Sequence, residues 1–362
     1  MYYYKIAEVT LCSFLPIHFY EEFLCELCEA DITLENTDEL PPEVEDINAG
    51  DFMHRQLKDG WFFHLEYSDK TGMYMNSEYT KLRLLGYDKE EIRGVYGWYV
   101  RIAIECRLAY QGYVPLHSAA IEVQGEAYAF SGNSGIGKST RAEAWIEALD
   151  ATLISGDRPL IDVKNLMVYG VPWDGKEKCF RNVHFPIKAI CEVRRSDAVY
   201  ARVMSFKQRR KLLLRQCFMP MWDMGLAAIQ MSNLRKLAET AEMVRVFSGP
   251  TAEDARELYR VLQQREYKKE EADMKAKEGF VLRHVVDEYI LMPTGDNISK
   301  FNGTVLLNEV AAFVWDKLQN PVSKDDILEA MLNEYEVDRE TATADLDALL
   351  AKMSGYGVIE ED

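Results

Sequence analysis

Eight residues, Gly132-Asn-Ser-Gly-Ile-Gly-Lys-Ser139, constrain this chain more than any other stretch. They follow a strand-like run, 126–131, and precede a run with helical spacing that reaches Leu149. Glycines at 132, 135 and 137 let the backbone curl so that several N–H groups face one centre. A helix starting near Gly137 adds the positive end of its dipole to the same centre. Phosphate oxygens suit such a nest. In the pattern G-x-x-x-x-G-K-[ST], the lysine reaches the β- and γ-phosphates and the hydroxyl binds Mg²⁺. The spacing therefore predicts an α/β domain that binds ATP and Mg²⁺. Its phosphate-lining stretch is Gly132, Asn133, Ser134, Gly135, Ile136, Gly137, Lys138, Ser139 and Thr140.

Charge points the same way. The net charge is −18, which excludes a general nucleic-acid or anionic-membrane binder, since those surfaces need a basic field. Residues 1–60 hold 14 acids against 3 bases, and 279–362 hold 17 against 6, leaving the middle at +4. A polyanionic ligand belongs in that middle. Seven scattered cysteines do not resemble a disulfide framework, and Cys25-x-x-Cys28 lacks the second pair a zinc site needs. No apolar run approaches a membrane span and no signal-peptide cleavage site is evident, so a reduced, cytoplasmic protein is expected. The sequence leaves the oligomeric state open.

Four segments are predicted. Residues 1–111 read as a small α/β unit, with a strand over 3–11, a helix over 17–29 that includes the C-x-x-C, and an acidic loop over 35–50. Strands near 61–67 and 72–76 and a helix over 95–111 complete it. His18, His54 and His64 are isolated there and read as structural or surface histidines. Residues 112–264 read as the nucleotide domain. Its strands are 119–123, 126–131, 187–193 and 243–247, with a β-rich stretch over 152–169 and later helices over 205–216, 233–242 and 251–264. Residues 265–278 contain almost no apolar side chains and read as a linker or a solvated helical extension. Residues 279–362 read as a hairpin (281–286 and 289–293), a third strand (304–307) and helices near 308–319, 323–335 and 340–353, with Ser323 and Asp326 as a capping pair.

A phosphate loop gives binding, so chemistry must come from elsewhere in the site. Asp157 ends the strand-like Leu153-Ile-Ser-Gly-Asp157, where an acid can hold Mg²⁺ or take a proton from an attacking hydroxyl. His117-Ser-Ala-Ala-Ile-Glu, the glycine loop and Leu153-Ile-Ser-Gly-Asp157-Arg together resemble the catalytic domain of HPr kinase/phosphorylase. That family shares its core with ATP-dependent phosphoenolpyruvate carboxykinase. The resemblance implies that Asp157 is the base toward a serine hydroxyl and that His117 belongs to the active site. The chain departs from the family in three places. Gly156 replaces the first of two adjacent acids, the interval before Asp157 is one residue longer, and the glutamate motif for a second metal has no match. A bifunctional HPr kinase/phosphorylase is therefore not expected. Val171-Pro-Trp-Asp-Gly-Lys176-Glu-Lys178 fits a glycine-containing loop of uncharacterised relatives, in which Lys176, Lys178 and Arg181 are candidate phosphate contacts.

The last 84 residues resemble the PqqD family, the peptide-recognition elements of ribosomal-peptide modification systems. Leu307-Asn308-Glu309, Ala312 and Trp315, Tyr335-Glu-Val337-Asp338 and Gly357-Val-Ile359 carry the likeness. It implies a winged-helix-like α+β domain. A leader peptide would add as a strand to the sheet edge near 304–307 and pack against the helix near 341–353. Val305, Leu306, Leu346 and Leu350 are the apolar residues there, and they read equally well as plain core. The expected function is an ATP/Mg²⁺-dependent kinase acting on a Ser or Thr hydroxyl of a ribosomal precursor peptide held by this domain. Alternatives are a small-molecule kinase, for instance of a free amino acid, and a non-catalytic peptide chaperone switched by nucleotide.

Overall fold

A computed structural model of the chain describes residues 1–37, 39, 54–64, 72–85, 90–173, 178–269, 273–285, 288–298, 301 and 303–361. The chain divides into two units, Met1–Lys269 and Glu270–Asp362.

The first unit begins with a seven-stranded sheet. β1 (Tyr2–Ile6) and β2 (Val9–Ser13) form a hairpin, where one strand over 3–11 was expected. Ala7, at φ 51°, turns the chain between them. β3 (Ile32–Thr37) lies parallel to β2, so residues 35–37 are strand rather than loop. β4 (His54–Leu57), β5 (Gly60–His64), β6 (Gly72–Asn76) and β7 (Lys81–Leu85) complete the order β1-β2-β3-β7-β6-β5-β4. The helix expected over 17–29 is a single 3-10 turn, Glu21–Phe23. Ile17, Tyr20 and Phe23 are buried at a spacing of three that imitates a helix. Their bonds are those of tight turns, Tyr20 N–H to Ile17 O and Phe23 N–H to Tyr20 O. The chain then leaves, with Cys25 N–H donating to Tyr3 O of β1.

α1 (Glu90–Tyr110) is apolar on nearly every side of its second half, where Tyr99, Val100, Ala103, Ile104, Cys106, Leu108 and Ala109 are all buried. A helix apolar all round must be covered on both sides. α1 packs on β2, β6 and β7 and also on elements that follow it. One core joins Tyr4, Leu34, Met73 and Leu82 of the first sheet to Leu160, Val171, Trp173 and Leu226. The boundary expected at 111/112 therefore does not separate two cores.

The second sheet contains β8 (Tyr113–Pro115), β9 (Ser118–Val123), β10 (Glu126–Ser131), β11 (Thr152–Ser155), β12 (Leu160–Asp162), β13 (Met167–Tyr169), β14 (His184–Arg195), β15 (Tyr200–Val203), β16 (Met243–Ser248) and β17 (Tyr267–Lys268). Its centre, β10-β14-β16, is parallel, and both faces are covered, as parallel strands require. α2 (Lys138–Leu149) and α5 (Ala252–Gln264) cover one face, and α3 (Phe206–Gln216) and α4 (Met224–Thr240) the other. α4 begins nine residues before the expected 233, because Asp223 Oδ1 caps it by accepting from Leu226 N–H at 3.0 Å.

The division between the two units falls inside the segment 265–278, whose described residues include two short strands. Tyr267–Lys268 forms β17 beside β15, and β18 (Met274–Ala276) pairs with β22 (Ile359–Glu361) of the second unit. Its few uncharged side chains anchor it, Tyr267 in one core and Met274 and Ala276 in another. The second unit has a three-stranded antiparallel sheet, β19 (Phe280–Val285), β20 (Glu288–Pro293) and β21 (Val305–Leu307). α6 (Glu309–Lys317), α7 (Lys324–Glu334) and α8 (Arg339–Gly355) pack around Trp315, Ile327, Leu346 and Leu350. Ser323 Oγ accepts from Asp326 N–H at 3.1 Å and caps α7 as expected.

Tyr79 ties the first sheet to α4. Its hydroxyl donates to Asp223 Oδ2 at 3.1 Å and accepts from Trp222 Nε1 at 3.0 Å. Tyr79→Phe keeps the packing and removes both bonds. Urea unfolding is expected to show a loss of ~0.5–1.5 kcal/mol, the usual net effect of losing a hydrogen bond, since Trp222 and Asp223 are only part-buried. An unchanged midpoint would contradict the tie.

Candidate functional site

Strand direction assembles the site. β10 is antiparallel to β9, and β9 is antiparallel to β11. The carboxyl ends of β10 and β11 and the start of β9 therefore share one edge of the sheet. The glycine loop follows β10, Asp157 follows β11, and His117 precedes β9. In open α/β sheets this edge, beyond the carboxyl ends, is where ligands bind. Backbone bonds fix the register. Ser118 N–H donates to Asp157 O at 2.7 Å, and Ser131 Oγ donates to His117 O at 2.9 Å. His117 N–H donates to Gln216 O at 2.8 Å, so the end of α3 supports the same point.

His117 Nε2 lies 3.5 Å from Asp157 Oδ1. Burial pushes the His117 pKa below its ordinary value; the Lys138 charge adds to this, and Asp157 opposes it. Burial also lowers Lys138, with Asp157 again opposing. The charges of Lys138 and Asp157 thus both reach His117, and that of Asp157 reaches Lys138. Lys138 Nζ donates to Gly132 O at 3.0 Å and to Asn133 O at 3.2 Å, across the glycine loop. Ser139 is half-buried and Thr140 exposed, both in the first turn of α2. The first N–H groups of that helix have no partner within it. Gly132 is buried, Asn133, Ser134 and Gly135 are exposed, and Ile136 and Gly137 are intermediate. Gly137 has φ 101°, the left-handed region that favours glycine, and a Cβ there would meet Arg141 Nη1 at 2.9 Å. Lys176 lies outside the described residues.

Sequence reasoning passed over Arg141. It is 4% exposed and faces the loop from inside. Its guanidinium donates to Ile136 O and Gly137 O at 3.3 Å, to Arg194 O at 2.9 Å, to Ser248 Oγ at 3.0 Å and to Ser248 O. The loop is thereby fastened to the ends of β14 and β16. Burial, then the Arg195 charge, pushes the Arg141 pKa down to about 10. Arg195 Nη2 donates to Gly135 O at 2.6 Å. Only the positive charge next to the motif could have signalled this role, and lone arginines in helices are common.

The N-terminal region carries no motif, yet it reaches the site's underside. On α1, the Arg101–Glu105 pair is 2.8 Å apart, with Glu105 1% exposed. Burial raises the Glu105 carboxyl, while Arg101 and then Arg158 lower it. The Arg101 guanidinium sits 5.7 Å from the Trp173 ring centre, and Trp173 Nε1 donates to Arg158 O at 3.3 Å, next to Asp157.

In the second unit, β21 pairs with β20 alone among the described strands and is an edge. A groove of about 270 Å³ lies between it and α8, lined by Leu291, Val305, Leu306, Leu307, Leu349, Lys352, Met353 and Tyr356. Leu306 is 61% and Tyr356 43% exposed. Leu346 and Leu350, for which a peptide contact and plain core were both open, are 0% and 7% exposed and belong to the core. From α8 and its C-cap the half-buried Leu349 and the exposed Lys352 and Tyr356 line the groove, together with Met353, itself 2% exposed.

Residues 288–359 match the family described as Coenzyme PQQ synthesis protein D (PqqD). No curated protein matches the chain. Among solved structures, TbiB1 in complex with the TbiA(beta) leader peptide is similar at 26% identity, covering 24% of this chain and 94% of that one, with a TM-score of 0.21. A lasso peptide synthetase B1 complexed with the leader peptide is similar at 21% identity, covering 25% and 99%, with a TM-score of 0.22. Among the described residues no helix is long and apolar enough to cross a membrane. The chain carries a PqqD domain at its carboxyl end, behind an α/β unit that holds the glycine loop.

Proposed function

We propose that this protein is an ATP- and Mg²⁺-dependent kinase that phosphorylates a Ser or Thr hydroxyl of a ribosomally made precursor peptide, whose leader its PqqD domain holds. The observation that carries this reading is the meeting of Lys138, His117 and Asp157 at one glycine loop, in a chain that also has a PqqD domain. Asp157 accepts the proton of the acceptor hydroxyl as that oxygen bonds to the γ-phosphorus. The bond to the β–γ bridging oxygen breaks, and ADP leaves with the electron pair. Lys138 and the amides at the start of α2 offset the charge on the phosphate oxygens. His117 is held neutral, so the carboxylate beside it is not tied into a full ion pair and stays available as a base.

The Ser139 hydroxyl and the Asp157 carboxylate are hard oxygen donors at the loop, the set that Mg²⁺ takes together with phosphate oxygens. When bound, the ion neutralises charge on the β- and γ-phosphates. For the peptide, the edge of β21 offers backbone pairing, and Leu306, Leu349, Met353 and Tyr356 offer apolar pockets.

Asp157→Asn keeps size and hydrogen bonding but removes the base. The expected result is near-normal ATP affinity with transfer lowered roughly 10²–10⁴-fold. Unchanged transfer would remove Asp157 from the mechanism, and a loss of Mg²⁺-dependent affinity would make it chiefly a metal ligand. The pH profile follows from His117. A lowered pKa means that the neutral form persists across neutral pH and protonation comes only below the ordinary value of about 6.5. kcat/KM should be flat from about pH 7 to 8 and fall below about 6.5, and His117→Asn should abolish that acid limb. An identical profile in the variant would exclude His117. In the PqqD domain, Leu306→Asp should weaken precursor binding by about tenfold with ATP affinity unchanged, because a charge replaces an apolar contact in the groove. Equal precursor affinity, by fluorescence anisotropy, would move the peptide elsewhere.

A further inference from the structure

α3 is a basic island in an acidic chain. It carries Lys207, Arg209, Arg210, Lys211 and Arg215 and no acid, against a net charge of −18 overall. Its buried residues, Gln208, Leu212, Leu213 and Gln216, fix which side faces inward. Lys207, Arg210, Lys211 and Leu214 then share the outer face at i, i+3, i+4 and i+7. Arg209 has a separate, structural task, donating to Met204 O at 2.9 Å and Ala238 O at 3.3 Å. The outer face is also apolar in part: Phe206 is 42% and Leu214 43% exposed, and the Arg210 guanidinium sits 5.7 Å from the Phe206 ring centre. The turn that follows exposes Met221 to 64% and, at the start of α4, Met224 to 72%. Flexible thioethers suit a surface that must accept varied side chains.

The position of this face gives it meaning. α3 ends at Gln216, whose carbonyl accepts His117 N–H at 2.8 Å, and Cys217 bridges to Leu116. The outer face therefore runs back from the site by the length of the helix, about 16 Å. The nucleotide phosphates are already provided for at the glycine loop. Cations interleaved with apolar groups beside the proposed acceptor position call for acids interleaved with apolar groups.

We infer that the outer face of α3, with the turn at 219–224, docks an acidic, apolar peptide segment flanking the acceptor hydroxyl. The inference rests on the peptide-kinase reading and names the chemistry of the segment. The test uses the full chain and a fluorescein-labelled synthetic peptide that alternates Glu and Leu around one Ser, with a twin carrying Lys for Glu. Wild type should bind the acidic probe at least about tenfold tighter than the twin. Arg210→Glu with Lys211→Glu should remove that preference, and the milder pair Arg210→Gln with Lys211→Gln should reduce it, both at unchanged ATP affinity. Equal affinity for the two probes, or an unchanged preference in both variants, overturns the inference. So does sedimentation with phosphatidylserine vesicles that the Glu variant loses in the absence of any peptide preference. ATP affinity and the Asp157→Asn comparison report on the kinase reading separately, so either claim can fail alone.

Discussion

The alternation of strand direction across β11, β9 and β10 is the constraint from which the site follows. Because β9 runs against both neighbours, its first residue, Ser118, lies level with Ser131 at the end of β10, and Ser155 at the end of β11 pairs two positions on, at Ala120. His117, Asp157 and the glycine loop are far apart in sequence, yet no long side chain is needed to bring them together. The backbone ladder does so, and the bond from Ser118 N–H to Asp157 O pins the register where the chemistry would occur. A one-residue slip of β9 would exchange Ala119 and Ile121, which pack in one core, with Ala120, which packs in the other, so the different fillings of its two covered faces guard the geometry of the site.

Arg141 gives the loop its rigidity. A buried guanidinium is costly unless its donors are used, and this one meets carbonyls of the loop, of β14 and of β16. These bonds hold loop carbonyls toward the interior in a conformation that side chains at 132, 135 and 137 would resist. The phosphate site proposed here gains from being held before a ligand arrives. The Arg101–Glu105 pair and Trp173 extend this support into the N-terminal region, which shares a core with the elements behind Asp157.

Much of this was legible in the sequence, for physical reasons that differ by element. The glycine loop, β9, β10 and α2 follow from local chemistry, because glycines, a hairpin turn at Gln124-Gly125 and helical spacing all act within a few residues. The order of the PqqD domain's elements was readable for the same reason. The 17–29 segment was misread because buried residues three apart suit tight turns as well as a helix. The short strands at the two ends of the charged stretch 265–278 were not foreseen because strand pairing is set by partners distant in sequence, here β15 and β22. Arg141 and the groove-facing Leu349, Met353 and Tyr356 were out of reach, since their roles depend on the rotation of a helix against a sheet.

The central claim is that one phosphate site joins Lys138, Asp157 and His117. A crystal structure of the full chain with a non-hydrolysable ATP analogue and Mg²⁺ tests it most directly. The account predicts the triphosphate wrapped by residues 132–139, with a γ-phosphate oxygen within hydrogen-bond reach, about 3 Å, of Lys138 Nζ, and with room for one hydroxyl between the γ-phosphorus and Asp157. A triphosphate seated away from the loop, or a γ-phosphorus too far from Asp157 for a single hydroxyl to bridge, would contradict it.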